Sequence, residues 1–77
     1  MFRESFPERL KNARKTAGYT QKEVQDETGI ERSRLSYYEN GKREPDIETL
    51  GQLATLYEVS TDWLLGITQK SNKEKIK

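Results

Sequence analysis

Cysteine and histidine are both missing from this chain, and the two absences rule out a good deal of chemistry. Disulfides, a thiol nucleophile, imidazole acid–base catalysis and the usual zinc ligand sets all go at once. A glycine-rich phosphate loop and a metal-ligand cluster are lacking too. The sequence therefore offers no candidate catalytic site, and neither enzyme activity nor a metal or cofactor is expected. No apolar run approaches the ~20 residues that cross a bilayer. The opening MFRESFPERL has no signal-peptide core. A cytoplasmic protein with no membrane partner is the expectation.

What is present suits one small domain: 77 residues, 31% hydrophobic and 35% charged, a balance that fits a helical fold with a compact core better than a disordered chain. The formal net charge is only +1, a weak recommendation for nucleic-acid binding. Its distribution says more. Residues 1–43 carry 10 basic and 7 acidic side chains, residues 44–69 carry 5 acidic and no basic ones, and residues 70–77 carry 4 basic and 1 acidic. That pattern fits ordinary solvated helix faces, and it fits a working N-terminal side with an acidic side turned away.

Five short helices fit the punctuation and nothing reads as a strand, so the fold class is all-α. The first starts near SFPE, where Ser5 and Glu8 have capping-box spacing and Pro7 falls in the first turn. It carries Leu10, Ala13 and Ala17 at helical spacing and stops at Gly18. The second opens with a Thr20–Glu23 capping box, carries Val24 and ends at Gly29. The third ends at the pair Asn40–Gly41, read as a left-handed cap. Asp46 caps the fourth, which holds Ile47, Leu50, Leu53, Ala54 and Tyr57. The fifth follows VST and contains Trp63, Leu64 and Leu65, read as completing the core, with a dimer patch there or at Ile67 as the alternative. The domain is expected over 1–67, and 68–77 reads as a polar disordered tail or a linker to a further segment.

The third helix has an unusual composition. At about 100° per residue, with Arg32 at 0°, Ser36 falls near ~40°, Asn40 near ~80°, Ser33 near ~100° and Tyr37 near ~140°. Leu35 and Tyr38 fall near ~300° and ~240°, on the other side. A narrow inward edge thus backs a broad outward face of guanidinium, hydroxyls, carboxamide and phenol, groups able to read base edges and hold phosphates. Arg34, near ~200°, lies at the edge of that face, open to a phosphate or to an acidic neighbour. With the preceding helix and the turn at Gly29, the segment forms a helix-turn-helix whose second helix enters the major groove. Gln21 stands at the start of the first of these two helices, where a side-chain amide and free N–H groups can hold a phosphate.

From about Phe6 to Gly66 the sequence resembles the lambda-repressor/Cro-type (Xre) helix-turn-helix family of bacterial and phage regulators. The resemblance rests on TQ at 20–21, GI at 29–30, YENGKREP at 38–45 and VSTDWLLG at 59–66. It implies a compact five-helix lambda-repressor-like domain that binds double-stranded operator DNA, acts in the bacterial nucleoid as a repressor, and forms a homodimer at least on DNA. By position, Arg32, Ser33 and Tyr37 fall where such proteins contact bases, with Ser36 beside them. Gln21 and Asn40 fall at phosphate contacts, with Lys42, Arg43 and Arg34 as further phosphate neighbours. Arg14 and Glu39 match an ion pair that is mainly structural.

Three positions depart from the family pattern. Gln25 stands where alanine is usual, which implies a looser crossing of the two helices or an amide hydrogen-bonded across it. Glu31 replaces a small hydroxyl cap, and its carboxylate suits the helix dipole but repels phosphate unless it accepts from a cytosine amino group. Tyr37 replaces a polar side chain, and its ring can meet a thymine methyl or a sugar. A different class of function also fits the fold: a protein-interaction module, of antitoxin or coactivator type, which the near-neutral charge and the acidic 44–69 half favour. A missing C-terminal partner domain is compatible with either.

Overall fold

The structure, a computed structural model, describes residues 2–69. It contains α1 (Phe2–Ala17), α2 (Gln21–Thr28), α3 (Arg32–Glu39), α4 (Ile47–Tyr57) and α5 (Thr61–Leu64), and no strand among the described residues. From residue 70 onward, the tail expected over 68–77 lies outside the described residues. No helix is long and apolar enough to cross a membrane among those described.

α1 corrects the expected start. It begins at Phe2 rather than near Ser5, and Pro7 lies inside it. A proline this close to a helix start removes only one main-chain bond, to the carbonyl four residues back, so the helix runs on through it. Extending α1 also brings Phe6 into the core, with Leu10 and Ala13 one and two turns further on. Ala17 is exposed, and Arg14 is the buried residue of that last turn.

α1 packs against α3, α4 and α5, while α2 packs chiefly on α3. Leu10, Leu35, Leu53, Leu64 and Val24 are fully enclosed, one from each helix. Leu35 and Tyr38 face inward as the helical wheel requires. Ile47, at 89% exposure, does not belong to the core.

The termini follow from local chemistry. Thr20 and Glu23 close a reciprocal capping box at α2, with hydroxyl and carboxylate each accepting one main-chain N–H, at 3.1 Å and 2.9 Å. Asp46 accepts the Thr49 N–H at 2.8 Å and starts α4. Those bonds hold the Asp46 carboxyl below its ordinary value. A depressed carboxylate stabilises the fold above its unfolded pKa, and that contribution is lost as pH falls through the folded value. Wild type is therefore expected to exceed Asp46→Asn in thermal midpoint at neutral pH, with the gap closing below about pH 4; melts across that range check it.

At the end of α3 the left-handed residue is Gly41 alone, with φ 74°; Asn40 caps with φ −104°, which corrects the paired assignment. The Lys42 and Gly41 N–H groups return to the Tyr37 and Tyr38 carbonyls at 2.9 Å and 3.3 Å, the double closure of a Schellman motif. α4 ends in the same way without glycine: Glu58 takes the left-handed conformation at φ 59°.

Among the described residues one buried side-chain polar atom has no partner. The Tyr57 hydroxyl makes no hydrogen bond, and burial, followed by the charge of Glu39, pushes its pKa up. A buried unpaired hydroxyl is a cost that phenylalanine avoids. Tyr57→Phe is expected to leave the urea midpoint unchanged or raise stability by up to about 1 kcal/mol.

Candidate nucleic-acid interface

Two helices and the turn between them build the candidate site. α2 ends at Gly29, whose φ of 82° lets the chain reverse without steric strain. Ile30 then drops into the core and α3 begins at Arg32. Side chains of α2 organise this turn. The Thr28 hydroxyl donates to the Val24 carbonyl at 2.7 Å and accepts the Ile30 N–H at 3.1 Å. The Gln25 side-chain carbonyl accepts the Arg32 N–H at 2.8 Å. Of the two arrangements expected for Gln25, the structure has the amide bonded across the crossing.

α3 presents Arg32, Ser33, Tyr37 and Asn40 to solvent, with Ser36 half-buried between them. Tyr37 is 43% exposed, a large ring with no place in the core. The Asn40 amide donates to the Ser36 hydroxyl one turn back at 3.2 Å, joining the two into one polar unit. Lys42 and Arg43 stand exposed in the loop that follows. Arg34 is turned aside: its Nε and Nη2 donate to the Tyr38 hydroxyl at 3.3 Å and 3.0 Å, and its guanidinium lies 5.9 Å from the centre of that ring. The Tyr38 hydrogen bond is the main reason its pKa is raised, with Asp46 and Glu31 adding to the effect.

Behind this face lies a charged cluster that joins α1, α2 and α3. The Arg14 guanidinium donates to both Glu39 carboxylate oxygens, Nε at 2.8 Å and Nη2 at 3.0 Å, and through Nη1 to the Tyr19 carbonyl at 2.9 Å. Both partners are buried, the side chains 10% and 3% exposed. The Glu39 hydrogen bond outweighs desolvation and holds the Arg14 pKa above its ordinary value. The Gln21 amide donates to the same carboxylate at 3.1 Å. Glu39 thus takes three bonds and fixes the first residue of α2 against the last turn of α3.

A helix, a tight turn on a left-handed glycine and a second helix whose solvent face is polar make a helix-turn-helix, and the comparison with known families agrees. A model of the family described as helix-turn-helix matches residues 10–64. The chain belongs to the Xre-type helix-turn-helix family. Among curated relatives, the HTH-type transcriptional regulator ImmR of Bacillus subtilis is 49% identical over 71 residues, 92% of this chain and 56% of that protein. The SPbeta prophage-derived uncharacterized HTH-type transcriptional regulator YonR of the same organism is 48% identical over 60 residues, 78% of this chain and 56% of that protein. The cryptic phage CTXphi transcriptional repressor RstR of Vibrio cholerae is 41% identical over 59 residues, 77% of this chain and 53% of that protein. The chain spans about half the length of the curated relatives it matches.

Xre-type membership gives α2 and α3 their names as helix-turn-helix elements, but not every residue that builds the motif here was legible in sequence. The capping roles of Gln25 and Thr28 were not. For Gln25 a signal existed, an amide where alanine is usual. For Thr28 there was none beyond its place beside Gly29.

Proposed function

We propose that this chain is the DNA-binding part of a sequence-specific transcriptional regulator, a repressor, that lays α3 in the major groove of an operator half-site. The observation that carries the reading is the outward face of α3. Arg32, Ser33 and Tyr37 are exposed there with hydrogen-bonding groups unspent on the core, the type of surface that meets base edges. The names of the relatives, transcriptional regulators and a phage repressor, point the same way.

In this reading Arg32, Ser33, Ser36 and Tyr37 meet bases. Gln21 and Asn40 hold phosphates with the amide hydrogen left over from Glu39 and from Ser36, and Lys42 and Arg43 add charge from the loop. Arg34 keeps its Nη1 donors and the second Nη2 hydrogen for a phosphate. Two copies bind an inverted repeat with half-sites about one helical turn apart, or a multiple of it. The protein acts in the cytoplasm at the nucleoid and has no catalytic role.

An amide-resolved NMR titration with mixed-sequence duplex DNA at low salt tests the interface. The expected shifts fall on residues 20–21, 31–37 and 40–43 and fade as salt is added. Shifts centred on the acidic 44–69 segment, or none at all, contradict the reading and favour the protein-interaction module.

A further inference from the structure

The helix placed to read DNA is started by a residue that does not belong to it. Glu31 occupies the N-cap position with extended backbone, yet its side chain makes no capping hydrogen bond. The first N–H of α3, that of Arg32, is taken instead by Gln25 of α2 at 2.8 Å. Helix starts leave main-chain donors that need an acceptor, and an N-cap side chain is the usual source. Two of the three positions that depart from the family pattern therefore bear on the same junction. A glutamate that makes no cap is matched by a glutamine, one helix away, that supplies an acceptor.

We propose that Gln25 is the positioning residue for the DNA-facing end of α3, supplying an acceptor from α2 at a helix start that Glu31 leaves uncapped, and that the two form a compensating pair. The consequence is geometric. Arg32 is the first residue of α3, and its N–H is the one Gln25 holds. Gln25 thus sets where Arg32 and Ser33 stand relative to α2, whose first residue Gln21 is itself anchored to Glu39 at 3.1 Å. Thr28 braces the turn by holding Ile30 at 3.1 Å, but it does not reach α3. Without Gln25 the start of α3 can shift against α2, and a base-reading side chain loses discrimination before it loses its charge. The effect on DNA rests on the base-reading role given to Arg32 and Ser33 above; the compensation between Gln25 and Glu31 does not.

The test is a double-mutant cycle on the whole chain, with Gln25→Ala, Glu31→Ser and the two combined. It is read as urea unfolding midpoints and as the affinity ratio between a duplex recovered from a randomised library and a random-sequence duplex. Gln25→Ala is expected to lower that ratio several-fold and to lower the midpoint. Glu31→Ser supplies a local cap for the Ser33 or Arg34 N–H, and it is expected to raise both readings more in the Gln25→Ala background than in wild type. Gln25→Glu keeps an acceptor for the Arg32 N–H. It is expected to preserve the ratio while weakening all DNA alike through its added negative charge.

An equal midpoint gain from Glu31→Ser in the two backgrounds overturns the compensating pair whatever happens with DNA. Coupled midpoints with a ratio unchanged by Gln25→Ala overturn the positioning role. Should Gln25→Ala fail to fold, a several-fold fall in ratio for Gln25→Glu, which keeps the acceptor, overturns that role as well. A library that yields no enriched duplex sinks the base-reading assignment itself, and the midpoints still decide the pair.

Discussion

Arg14→Met is expected to cost about 3–5 kcal/mol of folding stability, the penalty of leaving a buried carboxylate without its partner. A domain of this length holds on the order of 4–12 kcal/mol in total, so the loss takes a quarter or more of it. The size follows from the geometry. Glu39 is buried, and two of its three side-chain hydrogen bonds come from Arg14. Glu39→Leu alone is costly for the mirror reason, with a buried guanidinium stranded against the Tyr19 carbonyl. The double variant Arg14→Met/Glu39→Leu is expected to recover much of the loss, because two packed apolar side chains carry no desolvation cost. Urea unfolding of the four proteins gives the coupling directly. A single-variant cost under about 1 kcal/mol would mean that the pair behaves like a solvent-screened surface bridge.

Arg32→Ala should weaken binding to the preferred duplex by about 1–3 kcal/mol and relax selectivity at one base pair. An arginine at the start of a helix in the major groove reads a guanine edge through two donors, and alanine leaves those acceptors unpaired. Lys42→Ala makes the contrast. A loop lysine contributes charge near the backbone, so its loss should weaken every sequence alike and reduce the salt slope by about one. Competition binding of both variants at two salt concentrations separates the roles. Equal losses on preferred and random DNA for Arg32→Ala would assign that residue to the backbone.

The parts of the fold that were legible in sequence share a cause: each is set by short-range chemistry. The Thr20–Glu23 box, Asp46 at the start of α4, and glycines 18, 29 and 41 after helix ends act within a few residues of themselves. The structure uses them all. The inward edge of α3 followed from its period. What the sequence hid depends on partners far along the chain. The end of α4 rests on Glu58 in a conformation that glycine usually marks. The early start of α1 lets Phe6 reach the core and overrides the local signals at Ser5 and Pro7.

The candidate site divides along the same line. The exposure of Arg32, Ser33 and Tyr37 could be read from a helical wheel, since it needs no partner. Arg34 lies at the edge of the outward face, where the wheel leaves its partner open; the structure gives it the Tyr38 hydroxyl one turn on. The double duty of Gln21, whose amide is partly committed to Glu39, follows only from the packing of α2 against α3. Gln25 stands between the two cases, with its identity signalling a contact and its partner set by the tertiary fold.

The central claim is that α3 reads operator sequence, and selection from a randomised duplex library tests it most directly. An enriched inverted repeat, bound with a steep salt dependence and losing selectivity at one position with Arg32→Ala, is the result expected. Weak, salt-sensitive binding with no enriched sequence would contradict it and leave the chain as an interaction module on the same five helices.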